Sequence, residues 1–230
     1  TMLWSGSNAQ RWGLAAPALL LGLGFVAGTP FLHDSLAAQL AIPIEYHGHN
    51  DFGLATANAL AALEAGAQAI SCTIGGLGER AGNTALEEIV AALQVIKQTD
   101  TGIYLAALPG LCQLVADFTG RPVPAQKPVT GALVFTHESG IHVDGLLKSP
   151  ALYTYLDPAV VGRRHHISPG KHSGRAALVH CAGLLGYRLP QSHSAVVRSA
   201  INTVWENGQP ADPWQAFHNI LEALEIPHAS

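Results

Sequence analysis

Charged side chains are scarce in this chain, and neither sign is gathered into a patch. Asp, Glu, Lys and Arg make up 12% of the 230 residues, and the net charge is -4. A basic face that could bind nucleic acid and an acidic tail are both lacking. Hydrophobic residues reach 48%, which excludes a disordered chain and predicts a globular protein with a large core.

Cysteine is also sparse, and its placement excludes two common kinds of structural site. Cys72, Cys112 and Cys181 are isolated from one another along the chain. They form neither a disulfide framework nor a zinc knuckle. We therefore expect a reducing compartment and a cytoplasmic protein.

The first 30 residues differ from the remainder by their lack of charge. No charged residue occurs between Trp12 and Leu32, a length that would allow a signal peptide or a membrane span. Pro17 and Pro30 interrupt the run, and no stop-transfer cluster follows it. We interpret residues 1–30 as a divergent apolar segment, either buried barrel sequence or a disturbed gene start, and expect no membrane partner.

Strand and helix patterns alternate after residue 40. The predicted elements are a strand at Ala41–His47, a helix at Leu54–Ala65 ended by Gly66, a strand at Ala67–Thr73, a loop at Gly75–Asn83 and a helix at Thr84–Lys97 capped by Asn83. This order is typical of a parallel α/β sheet or barrel, whose active site lies at the carboxyl ends of the strands. An irregular segment at Gly120–Pro128 is followed by predicted helices at Arg175–Leu185, Ser194–Glu206 and Pro213–Leu224.

A His-x-His pair ends the first of these strands. Side chains two residues apart in a strand point to the same face, so His47 and His49 are expected to project together. Two converging imidazoles, completed by an amide or carboxylate oxygen, predict a divalent-metal site. The alternative is an ordinary pair of buried or surface histidines.

Four glycine- and histidine-containing motifs follow one another along the chain. They are His47-Gly-His-Asn-Asp-Phe-Gly-Leu-Ala-Thr-Ala-Asn58, Gly76-Leu-Gly-Glu-Arg-Ala-Gly-Asn83, Phe135-Thr-His-Glu-Ser-Gly-Ile-His-Val-Asp-Gly145 and Gly170-Lys-His-Ser-Gly-Arg175. This ordered set resembles the homocitrate synthase and 2-isopropylmalate synthase family. The resemblance implies the C-terminal part of a TIM (β/α)8 barrel at residues 31–118, followed by a linker and a small helical subdomain at residues 119–230.

The same resemblance implies an acyltransferase that performs a Claisen-type condensation of acetyl-CoA, its co-substrate, with a 2-oxo acid. The segment from His137 to Lys148 is most similar to the homocitrate synthases of nitrogen fixation. We therefore expect 2-oxoglutarate as the substrate and homocitrate as the product. The alternatives are a 2-isopropylmalate synthase of leucine biosynthesis and an inactive fragment of such an enzyme.

The family pattern also implies roles for individual residues. His47, His49 and Asn83 match the ligands of a divalent cation (Mg, Mn or Zn), and His142 and Tyr153 match an acid–base pair. Other expectations are less specific. Glu79 and Arg80 are expected to contact a substrate carboxylate or to fix the position of their loop. Thr29 is a substrate-binding candidate near a weakly matched strand end, and Asp51 is expected to cap the following helix or to fix a histidine tautomer.

One part of the family pattern has no counterpart here. The acidic metal ligand belongs to the first barrel strand, and residues 1–26 contain no carboxylate side chain. We therefore expect a truncated or altered N-terminal half, weakened cation binding and little condensation by this chain alone. The full-length parent is expected to be a homodimer that acts on small molecules.

Overall fold

The structure is a computed structural model, and it describes residues 2–3, 19–21 and 43–229. The chain divides into two compact units, Thr1–Val134 and Phe135–Ser230. This division follows the irregular Gly120–Pro128 segment, whereas the predicted boundary at residue 118 precedes it. Thr29 and most of the divergent apolar segment lie outside the described residues.

A four-stranded sheet organises the N-terminal unit. Its strands are β1 (Met2–Leu3), β2 (Leu19–Leu21), β3 (Ile44–His47) and β4 (Ala69–Ser71), in the order β1-β4-β3-β2. β3 is parallel to both β2 and β4, and β1 is antiparallel to β4. The register places His47 opposite Ser71. β3, one of the two inner strands, therefore ends at His47, and His49 follows two residues later.

Helix α1 (Ala55–Glu64) connects β3 to β4, which confirms the predicted strand–helix–strand unit. The helix ends as the sequence indicates, because Gly66 adopts a φ of 101°. Its N–H donates to Leu63 O and that of Ala67 donates to Ala62 O, a hydrogen-bond pattern that satisfies the last helical carbonyls.

The next helix begins later than predicted. A 3-10 turn at Ile74–Gly76 leads through the glycine-rich loop to α2 (Leu86–Ala91), which continues as one π turn at Ala92–Ile96. The prediction that Asn83 caps this helix is wrong. Ala85 occupies the capping position without a side-chain bond, because residues 82–84 pair with the end of β3 instead.

The remainder of the N-terminal unit holds a 3-10 turn at Leu105–Ala107 and helix α3 (Leu108–Thr119). Gly120 ends α3 in the left-handed conformation. Residues 120–128 form neither helix nor strand, as predicted from their prolines.

The C-terminal unit is mainly helical. A short parallel pair, β5 (Thr136–His137) and β6 (His166–Ile167), accompanies four helices and three 3-10 turns. The helices are α4 (Gly140–Lys148), α5 (Arg175–Leu184), α6 (Ser194–Glu206) and α7 (Pro213–Ala223), and the turns are Pro150–Leu152, Pro158–Val161 and Gln191–His193. The three helices predicted from the sequence are therefore confirmed within a residue at each end.

The apolar faces of these helices form one core. It includes Val143 of α4, Leu178 of α5, Ile201 of α6 and Phe217 of α7, each at most 1% exposed. Among the described residues, no helix is long and apolar enough to cross a membrane.

Candidate active site

The two histidines after β3 converge, as the alternation of strand side chains predicts. His47 Nε2 and His49 Nε2 lie 3.2 Å apart, and the ring planes are nearly perpendicular at 84°. A divalent cation about 2.0–2.1 Å from each nitrogen, with the two bonds at 90–110°, would separate the nitrogens by about 2.8–3.4 Å. The observed spacing therefore fits two ligands of one ion, and it also fits a single imidazole–imidazole hydrogen bond.

Gly48 between the histidines lies against the Tyr46 side chain. A Cβ at Gly48 would lie 2.5 Å from Tyr46 Oη and 2.7 Å from Tyr46 Cε1. Tyr46 is 2% exposed, and burial raises the pKa of its phenol although a hydrogen bond with Asn58 opposes this. The buried ring thus requires glycine in the middle of the His-x-His pair.

Asn83 lies beside His49 through backbone pairing. The two residues form an antiparallel bridge, and the adjacent bonds are Asn50 N to Gly82 O at 2.9 Å and Thr84 N to Gly48 O at 3.1 Å. Asn83 Nδ2 donates to Leu77 O at 3.2 Å. Asn83 Oδ1 is buried without a hydrogen-bond partner, as is His49 Nδ1. An amide oxygen without a hydrogen-bond partner, next to two converging imidazoles, is the arrangement expected of cation ligands when no cation is bound.

Gly78 leaves room for the Asn83 amide, and Gly82 leaves room for the backbone of the same loop. A Cβ at Gly78 would lie 2.6–2.7 Å from the three amide atoms of Asn83, and one at Gly82 would lie 2.2 Å from Gly76 O. Gly82 also has a φ of 94°, a conformation that glycine adopts without strain. The sequence marks the loop as glycine-rich, but only the structure shows which glycines contact Asn83.

Arg80 joins this loop to the segment after His49. Its Nε donates to Asp51 Oδ1 at 3.1 Å and its Nη2 to Asp51 Oδ2 at 2.9 Å. The hydrogen bond from Arg80 holds the pKa of Asp51 below its usual value. Asp51 therefore does not cap α1, which corrects that expectation. Asn50 Oδ1 accepts from the Ala55 N–H instead, at 3.1 Å.

The other two candidate substrate residues differ in what the structure describes. Glu79 is exposed, and its carbonyl accepts from the Gly82 N–H at 2.9 Å, which closes the turn around Arg80. Thr29 lies outside the described residues. Among the described residues, no group of three His, Cys, Asp or Glu side chains could hold a metal ion, so no fourth residue of these types joins the predicted ligands His47, His49 and Asn83.

The second candidate pair, His142 and Tyr153, belongs to the C-terminal unit. Their ring centroids lie 5.1 Å apart at an interplanar angle of 42°. Tyr153 packs over α4 because the helix has no side chain at Gly145, where a Cβ would lie 1.9 Å from Tyr153 Cε2. Tyr153 is 40% exposed, so the ring that packs on α4 is not closed off from solvent.

Two family models match the chain. The HMGL-like model matches residues 31–115, and the model described as homocitrate synthase post-HMGL domain-like matches residues 129–209. The first contains His47, His49 and Asn83, and the second contains His142 and Tyr153.

Curated relatives agree with both models. The chain is 54% identical over 138 residues to 2-isopropylmalate synthase 2 of Caldanaerobacter subterraneus, covering 60% of this chain and 36% of that protein. It is 51% identical over 226 residues to homocitrate synthase 1 of a Nostoc species, covering 96% and 59%. Homocitrate synthase AksA of Methanocaldococcus jannaschii is 41% identical over 181 residues, covering 79% and 44%.

The chain thus spans between roughly a third and three fifths of the length of these relatives. Relatives with two different product names match at similar identity, so likeness alone does not select the 2-oxo acid. Both family models match in the order found in the sequence motifs, so the chain contains an HMGL-like domain followed by a homocitrate synthase post-HMGL domain-like region, and it is similar to homocitrate and 2-isopropylmalate synthases.

Proposed function

We propose that this chain is part of an acyltransferase that condenses acetyl-CoA with a 2-oxo acid. The observation that carries the proposal is the 3.2 Å approach of His47 Nε2 and His49 Nε2 beside the unpartnered Asn83 Oδ1. Three neutral donors at one strand end suit a hard or borderline divalent cation. The parallel strand–helix–strand unit around them supports a partial (β/α)8 barrel.

His47, His49 and Asn83 would hold Mg, Mn or Zn. A divalent cation at this position supplies Lewis acidity to the 2-oxo and carboxylate oxygens of a bound 2-oxo acid. The protein's own contribution is to fix the ligands. Gly48 lets the strand end approach Tyr46, and Gly78 supports the Asn83 amide.

His142 and Tyr153 would perform the acid–base chemistry on the acetyl group and the new alkoxide. An imidazole titrates close to neutral pH and can take a proton from a thioester methyl group. The phenol can hydrogen-bond to the developing alkoxide. Their ring contact at 5.1 Å supports a shared task, and packing alone is the alternative.

Arg80 has a positioning role in this proposal. The bidentate contact with Asp51 ties the glycine-rich loop to the His-x-His segment, and this arrangement favours loop positioning over direct binding of a substrate carboxylate. Glu79 on the same turn and Thr29 remain candidates for substrate contact.

We favour 2-oxoglutarate as the 2-oxo acid and homocitrate as the product, because of the His137–Lys148 segment. The second candidate is 2-isopropylmalate synthase, which is favoured by the 54% identity to a protein of that name. The three free cysteines are compatible with a reducing cytoplasm. We further propose a homodimer for the full-length parent, with a helical subdomain after the barrel.

Thiol release from acetyl-CoA tests the reaction and the substrate together. Because this chain alone is expected to condense little, it is supplied with excess Mg²⁺ or Mn²⁺, acetyl-CoA and either 2-oxoglutarate or 2-oxoisovalerate, and only the ranking of the residual rates above a blank without a 2-oxo acid is scored. Faster release with 2-oxoglutarate supports homocitrate synthesis, and faster release with 2-oxoisovalerate supports the second candidate. Release that does not depend on any 2-oxo acid would contradict the condensing function.

A further inference from the structure

Three residues that the proposed chemistry does not use form a hydrogen-bonded chain beside Tyr153. His137 Nε2 lies 3.1 Å from His165 Nδ1, and His165 Nε2 lies 3.2 Å from Thr154 Oγ1. Thr154 Oγ1 in turn donates to Pro150 O at 3.0 Å. All of these residues belong to the C-terminal unit, and Thr154 directly follows Tyr153 in the chain.

The direction of every bond in this chain follows from its last acceptor. Pro150 O can only accept, so the Thr154 hydroxyl donates its single proton to Pro150 O. Thr154 Oγ1 then accepts from His165, which requires the proton of that ring to lie on Nε2. In a neutral His165 ring, Nδ1 is then a bare acceptor, and His137 donates to it from Nε2.

Backbone pairing sets the two rings against each other. β5 and β6 are parallel, with bonds from His166 N to Phe135 O and from Ser168 N to His137 O, both at 2.9 Å. The His137 and His165 ring centroids consequently lie 5.2 Å apart. Burial, together with the charges that His165 and His142 would carry, lowers the pKa of His137. The lowered pKa favours the neutral form of the His137 ring.

The far end of the chain fixes the turn that carries Tyr153. Pro150 O accepts from the Tyr153 N–H at 3.2 Å as well as from the Thr154 hydroxyl. His165 anchors Thr154 from the other side. Gly145 leaves room for the phenol ring. The bonded turn therefore holds the Tyr153 ring against His142.

We propose that His165 is a positioning residue which, through Thr154 and with His137 locked in the Nε2–H form, holds Tyr153 against His142. The inference rests on the proposed function for its purpose, because it assigns a support to the acid–base pair. Its structural content is independent of the reaction, since it predicts a defined tautomer for two rings and a defined contact between two others.

Nitrogen-15 NMR of the histidine rings at pH 7.5 tests the proposal directly. In the wild-type chain, His137 and His165 should both show the pattern of a neutral ring protonated at Nε2, and nuclear Overhauser contacts should join the His142 and Tyr153 rings. Thr154→Val keeps the side-chain shape and removes the hydroxyl. The His142–Tyr153 contacts should then be lost, and the His165 ring should no longer be held in the Nε2–H form. His165→Leu should abolish them too and release the His137 tautomer.

Two further variants separate positioning from general loss of structure. His165→Gln can accept from His137 with its oxygen and donate to Thr154 with its nitrogen, so it should restore the His142–Tyr153 contacts. His193→Leu changes a histidine on the 3-10 turn at Gln191–His193, outside the hydrogen-bonded chain, and should leave every signal in place.

An Nδ1–H or charged His137 in the wild type, or unchanged His142–Tyr153 contacts in His165→Leu, would overturn the proposal. Failure of the proposed function would appear differently, as thiol release that ignores the 2-oxo acid while these ring signals stay as predicted.

Discussion

A buried ion pair in the N-terminal unit gives the sharpest stability prediction. Glu87 is fully buried on α2, and its Oε1 lies 3.1 Å from Lys127 Nζ without an ordinary hydrogen bond. Its Oε2 accepts from the Gly75 N–H at 3.0 Å. Lys127 also contacts the Glu88 carboxylate and is only 14% exposed. Burial by itself would lower the pKa of Lys127, but the two carboxylates outweigh it and raise that pKa overall.

Lys127→Met would remove the charge that compensates Glu87 while keeping most of the side-chain volume. Breaking a buried pair by deleting one partner typically costs about 3–5 kcal/mol, a large share of the roughly 5–15 kcal/mol that stabilises a domain. Lys97→Met is the matched control. Lys97 pairs with Glu64 at the surface, where the side chains are 43% and 61% exposed, and such pairs contribute about 0–1 kcal/mol.

Urea unfolding followed by circular dichroism measures both free energies of unfolding. The double variant Glu87→Gln with Lys127→Met should recover part of the loss, because it leaves no unpaired buried charge. If Lys127→Met and Lys97→Met agreed within about 0.5 kcal/mol, Glu87 would not depend on Lys127 and the reasoning would be refuted.

Three other experiments test separate parts of the structure. Gly145→Ala should move Tyr153 away from His142, because the new Cβ would lie 1.9 Å from the ring. Gly183→Ala in α5 meets nothing within 4 Å and should not disturb the pair. By NMR, we expect the His142–Tyr153 ring contacts to be lost in the first variant alone. Burial raises the pKa of Cys112 to about 11 and that of Cys181 to about 12, so at pH 8 their thiolate fractions are about one thousandth or less. Alkylation of these two thiols should be slow in the native state and fast in urea. Fast labelling of the native chain would contradict this expectation. Asn83→Asp should tighten Mn²⁺ binding, because a carboxylate would replace the amide oxygen. Asn207→Asp, at the end of α6, should not, and calorimetry compares the two.

Periodicity and turn chemistry predicted the regular elements well. The helices from Arg175, Ser194 and Pro213 follow from apolar spacing, and Gly66 marks the end of α1 because its conformation excludes most side chains. These features depend on neighbours within a few residues, and local sequence contains that information.

Contacts between distant segments were not predictable in the same way. Asn83 was expected to cap a helix, but bridging to His49 takes its backbone out of the capping position. Asp51 was expected to cap α1 or to fix a histidine tautomer, but Arg80, in the loop that follows β4 in the sequence, binds it instead. The convergence of His47 with His49 was predictable because strand geometry is local. The buried Asn83 oxygen without a partner, and the contact of its amide with Gly78, could be seen only in the fold.

Cation binding at the His-x-His pair is the central claim, and calorimetric titration of Mn²⁺ and Zn²⁺ tests it most directly. The account predicts saturable binding near one ion per chain in the wild type, a clear loss of affinity in His49→Ala, and wild-type affinity in the control His193→Ala. Equal affinity in the wild type and His49→Ala would show that the 3.2 Å contact of the two imidazoles is a hydrogen bond rather than a ligand pair, and it would contradict the account.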